Sequence, residues 1–189
     1  RSPDELNGCN QSMLSGQTPY DVVGIVIKSN HGERYKIRNP TYEYVRHLRG
    51  NQPKLQYHYL DLRQSGKVSE YLQYYPEHSG LFNDFRNSIH MYTNDLLSNY
   101  IHCYMKKEKK LTEFPEKFRT HMYSLHHEVY KKILMPNHGY VNKEVVIHYF
   151  NSLHPSKQMF VLNYDHRKRD DVKITGIEEA KEDVSDIET

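Results

Sequence analysis

The chain has 189 residues with 37% hydrophobic and 26% charged side chains, a formal net charge of +2 and a mean hydropathy of -0.90. This composition reads as a polar globular protein, not a disordered one, because 17 Tyr and 6 Phe supply bulky apolar surface. It excludes a disulfide scaffold, since Cys9 and Cys103 stand far apart and form no metal knuckle, so a reducing, cytoplasmic compartment is expected. It also excludes a spanning helix, because the apolar run around Val22 to Ile27 is far shorter than the roughly 20 residues a bilayer requires. The first residues, Arg-Ser-Pro-Asp-Glu, fit neither a signal peptide nor a transit sequence; with no initiator Met, the chain is expected to begin inside a longer reading frame or to be processed from one.

In chain order, residues 1–19 are rich in Ser, Gly, Asn, Gln and Pro and read as a flexible lead-in. Asp21 to Lys28 is a β-branched run expected to form a buried strand. Ser29-Asn30-His31-Gly32 carries turn chemistry, and Glu33 to Arg38 alternates, with Tyr35 and Ile37 on one face and Arg34, Lys36 and Arg38 on the other. Residues 20–39 are therefore predicted to be a β-hairpin, stopped by Asn39-Pro40. A helix follows over Thr41 to Leu48 and ends at Gly50, and the next starts at Pro53 with Leu55, Tyr59 and Leu62 in helical spacing.

A long helix is predicted from about Leu81 to Lys106, with Phe82, Phe85, Ile89, Tyr92, Leu96, Tyr100 and Tyr104 as its apolar stripe. Further helices cover about Pro115 to Leu134 and Asn142 to Leu153, and these amphipathic elements must pack together, giving a helical domain over residues 40–164. From Asp165 the pattern fades into a flexible acidic tail of nine acidic and five basic residues. The body is left with 21 basic and 15 acidic residues, a balance that suits a polyanion partner. The fold class is thus α+β: a short hairpin followed by a mostly α-helical domain. A lone hairpin is marginal in water, so it is expected to belong to a larger sheet or to pack on the helices.

The residues that carry chemistry lie in the hairpin. Alternation sets Lys36 and Arg38 on one face about 6–7 Å apart, a spacing suited to gripping a phosphate. A solvated basic edge strand is the structural alternative. Gly24 leaves room for the close approach of a ligand or of another backbone. Val-Gly-Ile-Val-Ile-Lys followed by Arg-Tyr-Lys-Ile-Arg-Asn resembles the fourth and fifth nucleotidyltransferase motifs of phage-type RNA ligases, which read Glu-Gly-x-Val and then Lys-x-Lys. The continuation from Tyr42 to Asn51 is similar to ligase-like proteins of large DNA viruses, and the likeness runs to about residue 165.

This resemblance implies the C-terminal part of an ATP-dependent RNA ligase of the covalent nucleotidyltransferase superfamily, with the hairpin belonging to that enzyme's sheet. It implies ATP and Mg2+ as cofactors of the intact protein, RNA and an upstream nucleotidyltransferase domain as partners, and a location in the cytoplasm, the host's if the protein is viral. AMP would pass from ATP to a lysine, then to an RNA 5′-phosphate, before the end is sealed to a 3′-hydroxyl. Lys36 and Arg38 would take catalytic and nucleotide-binding roles beside Gly24, and the helical region would select RNA. Two departures stand out. Val23 occupies the position of the motif Glu, and the nucleophile motif Lys-x-Asp-Gly is absent from these 189 residues. A degenerate, non-catalytic module that binds RNA or protein is the alternative.

Other constellations are weighed beside these. His121, His126 and His127 lack the i, i+4 spacing of a helical two-His metal site, and no metal is expected. Tyr92, Tyr100 and Tyr104 read as core, whereas Tyr57, Tyr74 and Tyr75 could stack on single-stranded RNA beside Lys54, Arg63 and Lys67. Lys106, Lys107, Lys109 and Lys110 form a basic cluster, explained either by the helix dipole or by contact with an RNA backbone.

Overall fold

The computed structural model describes residue 11, residues 18–29 and residues 31–168. Most of the lead-in and the tail beyond residue 168 lie outside the described residues. The chain divides into two compact units, residues 1–54 with 67–77, and residues 55–66 with 78–189. The hairpin therefore shares its unit with the helices on either side of residues 55–66.

In the first unit, strand β1 (Gly24–Lys28) pairs antiparallel with β2 (Arg34–Arg38), in the register Gly24 to Arg38, Ile25 to Ile37, Val26 to Lys36, Ile27 to Tyr35 and Lys28 to Arg34. The turn is held by Ser29, whose Oγ accepts the N–H groups of His31 and Glu33, both at 3.2 Å. Ile25, Ile27 and Ile37 share one half-buried face, and Lys36 and Arg38 share the other, as the alternation predicts.

The expected buried strand is not found: Val22, Val23 and Val26 are 37%, 55% and 58% exposed. Among the described residues the sheet has only two strands, and Val26 lies on the cationic face, where no second layer covers it. Gly24, at φ +155°, is required by its neighbour. A Cβ there would stand 2.3 Å from the Ile37 carbonyl oxygen and 3.0 Å from Arg38 Cα.

Asn39 joins hairpin to helix and is fully buried. Its Nδ2 donates to the carbonyls of Pro19 (2.8 Å) and Val22 (2.9 Å), and its backbone N–H donates to Val23 O at 3.0 Å. Its Oδ1 accepts the Thr41 N–H at 3.0 Å, capping α1 (Pro40–Arg49), whose first position Pro40 suits because it has no N–H to satisfy. Gly50, at φ 63°, ends α1, with its N–H shared by the Arg46 and His47 carbonyls. Val45 and Leu48 are buried, as is Tyr71 of α3 (Val68–Tyr74) in the same unit. The Tyr44 hydroxyl donates to the Glu70 carboxylate, tying α1 to α3.

The second unit is wholly helical in its described part: α2 (Leu55–Gln64), α4 (Ser79–Tyr100), α5 (Glu116–Ser124), α6 (Lys143–Ser152) and α7 (Pro155–Leu162). Its core is drawn from every helix, with Leu60, Leu96, Met122, Val146 and Phe150 at most 1% exposed. The predicted stripe of α4 is buried as expected, apart from Phe85 and Tyr104, which are partly exposed. Both long helices widen at their C-terminal ends, α4 into Ile101–Met105 and α5 into Leu125–Leu134, where turns close from i to i+5. Gln158 of α7, fully buried, donates through Nε2 to the Phe150 carbonyl at 2.6 Å and fastens α7 to the end of α6. Residues 165–168, expected as the start of the tail, are helical, and Asp165 pairs with Lys117 at 2.7 Å.

Two substitutions test the hairpin junction. Asn39→Ala removes the buried amide, leaves the Val22 carbonyl without its donor and the Pro19 carbonyl with only the Val22 N–H, so a loss of about 2–4 kcal/mol is expected in urea unfolding. Gly24→Ala is expected to destabilise comparably, by forcing Cβ into the Ile37 carbonyl. Loss of cross-strand amide protection in hydrogen exchange, with the α4 amides unchanged, checks that the damage is local.

Candidate nucleic-acid interface

The hairpin places its cations through the period of two, and the helix after it supplies their counter-charge. Arg38 is the last residue of β2, and with Asn39 as the hinge the first turn of α1 brings Glu43 beneath it. Arg38 Nη1 lies 2.7 Å from Glu43 Oε1, and Arg46 Nη1 lies 3.8 Å from the same oxygen. The guanidiniums are largely exposed, at 66% and 59%, whereas the carboxylate is only 23% exposed. Lys36, exposed on the same strand face, pairs with no carboxylate among the described residues.

One carboxylate thus serves two guanidiniums, and together with Lys36 the group carries a surplus of two positive charges. The Arg38–Glu43 contact is itself a charge-assisted hydrogen bond on an exposed guanidinium, so an anion arriving at Arg38 would compete with Glu43 on similar terms.

Gly24 stands opposite Arg38, and the room beside it is filled by the Ile37 carbonyl. Its small size serves strand approach. Val23 is exposed and carries no oxygen or nitrogen in its side chain; its backbone carbonyl is taken by the Asn39 N–H.

The second predicted basic group lies in the other unit. Lys106, Lys107, Lys109 and Lys110 are all exposed after the widened end of α4, where Lys107 turns the chain at φ 55°. Glu108, at their centre, lies 3.7 Å from Lys106 Nζ and 3.7 Å from His102 Nε2, so this cluster is partly neutralised from within. The ammonium groups of Lys107, Lys109 and Lys110 pair with no carboxylate among the described residues, and the Glu113 carboxylate accepts the Lys110 backbone N–H at 2.6 Å.

Tyr92 and Tyr100 are buried core residues, as the spacing predicts, and the desolvation of burial raises both phenols, Tyr100 to about 12. Tyr104 is half-buried and stacks on His126 with ring centres 3.9 Å apart. Of the tyrosines expected to be free, Tyr74 meets Tyr20 edge-on at 5.3 Å, Tyr75 packs on Tyr71 at 4.8 Å, and Tyr57 lies near His154. Arg63, expected beside RNA, is instead half-buried and donates to Asn151 Oδ1, with burial lowering its pKa.

Among the described residues no group of three or more His, Cys, Asp or Glu side chains is placed to hold a metal ion, and no helix is long and apolar enough to cross a membrane. His121, half-buried between α5 and α6, shares a 2.9 Å hydrogen bond between its Nδ1 and the Tyr149 hydroxyl. Comparison with protein-family models, curated proteins and solved structures finds no match for this chain. Sequence reasoning missed Glu43 and Arg46 as parts of the cationic site. Their i, i+3 spacing on α1 was visible, but their distance to Arg38 depends on the one-residue junction at Asn39.

His121 gives a pH prediction. Desolvation, with Lys157 as the lesser cause, lowers its pKa below the ordinary imidazole value. The unfolded chain takes up this proton near pH 6.5, but the folded chain does so only at lower pH. The stability tied to a neutral His121 is therefore complete above about pH 6.5 and declines as the pH falls toward 5. Thermal melting between pH 8 and pH 5 should show this decline, and His121→Gln should reduce its slope, leaving the share of His126, whose pKa burial also lowers. An unchanged slope would refute the assignment.

Proposed function

We propose that this chain is the phosphate-gripping and RNA-contacting part of an ATP-dependent RNA ligase. The observation that carries the reading is the placement of Lys36 and Arg38 side by side on the exposed face of a hairpin, with Arg38 held by a carboxylate with which an anion would compete. A nucleotide phosphate lying on this face would meet an ammonium and a guanidinium fork, which neutralise charge as it develops during AMP transfer. Both groups fit the phosphates of ATP. Lys36 acts as a compact point charge, and Arg38 fixes orientation through two parallel donors.

Mg2+ fits less well: Val23 has no donor for a metal-bound water, and no carboxylate cluster among the described residues replaces it. No step is therefore routed through a metal held by these residues. The lysine that accepts AMP must come from sequence outside these 189 residues, because Lys-x-Asp-Gly does not occur here.

The experiment that tests this reading uses the protein with its upstream sequence and α-labelled ATP. Covalent labelling that drops at least about a hundredfold in Lys36→Ala, on the scale of losing a transition-state donor, is the expected outcome. A protein that takes up no label but still binds RNA would sink the ligase reading and leave a non-catalytic binding module. Val23 in place of the motif Glu favours that second reading.

RNA binding by this chain is expected to weaken with salt, with a log–log slope of about -0.7 per phosphate contacted. If the chain is only a binding module, Lys36→Ala with Arg38→Ala should matter little and changes at Lys107, Lys109 and Lys110 should matter more. Glu43→Gln removes the competing carboxylate and is expected to tighten binding of a 5′-phosphorylated oligoribonucleotide several-fold at low salt. Weaker binding in that variant, measured by fluorescence anisotropy, would contradict the competition argument.

A further inference from the structure

In the first unit, a cleft of about 210 Å³ that shares Arg46 with the Arg38–Glu43 group is lined by Tyr20, Asp21, Tyr42, Arg46, Arg49 and Tyr75. Its walls come from three places in the chain: the segment before β1, one face of α1, and the residue that ends α3. On α1 the spacing of Tyr42, Arg46 and Arg49 is i, i+4, i+7, which aligns the three along one stripe of the helix. Val45 forms the apolar floor and is buried. Arg49 lies over the Tyr75 ring at 5.9 Å and pairs with no carboxylate among the described residues. Arg46 shares Glu43 with Arg38 at the longer distance of 3.8 Å, so it too is weakly committed.

Flat aromatic walls beside two guanidiniums match a ligand that is planar at one end and anionic at the other. Asp21 is the single acid in the lining and offers an acceptor for hydroxyl or amino groups. An acidic peptide would use the arginines and make no use of the aromatic lining, in which Tyr20 meets Tyr74 and Tyr75 packs on Tyr71 beside Arg49. A nucleotide uses both. Its base stacks on tyrosine, its phosphate takes an arginine fork, and its ribose hydroxyls reach Asp21.

We propose that this cleft receives one nucleotide of single-stranded RNA, with the base against Tyr42 or Tyr75 and the phosphate on Arg46 and Arg49. The inference rests on the RNA reading given above and extends it with a second anion site, on residues that the hairpin motifs do not include. The cleft selects on ring and phosphate together, so a lone phosphate binds weakly and a nucleotide within a strand binds better than the free monophosphate.

The test uses the full chain and a fluorescent oligouridylate of about eight nucleotides, with uridine 5′-monophosphate and inorganic phosphate as competitors. Arg49→Gln is expected to weaken oligouridylate binding about tenfold and to shift the salt slope by about 0.7 toward zero. Tyr75→Leu should cost about five- to a hundredfold, whereas Tyr75→Phe, which keeps the ring, should stay within about twofold. Because Tyr75 also packs on Tyr71, the wild-type chain supplies an arm that needs no variant. The same oligonucleotide carrying 4-thiouridine is irradiated, and the crosslinked peptides are sequenced. Crosslinks at Tyr42 or Tyr75 support the cleft. Crosslinks confined to other surfaces, or wild-type affinity retained in Arg49→Gln, overturn it while leaving RNA binding intact. A wild-type chain that binds no oligonucleotide at all overturns the RNA reading along with it.

Discussion

The first unit depends on a single buried amide. Asn39 satisfies two carbonyls of the segment leading into β1, accepts the first free N–H of α1 and ties its own backbone to Val23. Each bond is of modest net worth, about 1 kcal/mol, but an amide this deeply buried is costly to leave unpaired. The strand and the helix are consequently separated by one residue, and the direction in which α1 leaves β2 is set by that residue's hydrogen bonds. Arg38 faces Glu43 because the junction is short. A longer or looser connection would leave the same charges in the sequence without bringing them together.

The second unit solves a different problem. Its helices carry aromatic residues where many helical proteins carry leucine, and ring pairs recur at i, i+4, as at His78 with Phe82 and Tyr123 with His127. The widened turns over Ile101–Met105 and Leu125–Leu134 fall where such residues meet, with Tyr100 and Tyr104 against His126. The Tyr100 hydroxyl lies 3.2 Å from His126 Nδ1, which pairs two polar atoms inside the contact. The π-helical turns thus coincide with a cluster of packed rings.

Elements with a strong period were legible in the sequence. The alternation from Arg34 to Arg38, the Asn39-Pro40 start and Gly50 end of α1, and the stripe of α4 all follow from side-chain direction and backbone preference. Helix α3 was not legible: seven residues with only Tyr71 fully buried give no period to read. Helix α7 was missed for another reason, since its only long buried side chains are Gln158 and Val161, and a polar residue hides the stripe. Strand β1 looked buried because β-branched residues suit a pleated surface whether or not it is covered, and the sequence holds no record of the missing layer. Of the candidate site, the strand positions of Lys36 and Arg38 were readable. Their electrostatic state was not, because Glu43 reaches Arg38 across a junction whose geometry only folding defines.

That difference in state separates residues that share a sequence motif. Lys36 and Arg38 occupy equivalent positions two residues apart, yet Lys36 pairs with no carboxylate among the described residues and Arg38 leans on Glu43. Glu43 in turn is held by Arg46, whose side chain also lines the tyrosine cleft. An anion that draws Arg38 away from Glu43 leaves that carboxylate to Arg46 alone and strengthens the pair that remains. Should both proposed sites hold anions, each would therefore weaken the other to the same degree, by at most about 1 kcal/mol, the worth of one exposed ion pair. Glu43 thus couples Arg38 of the hairpin to Arg46 of α1.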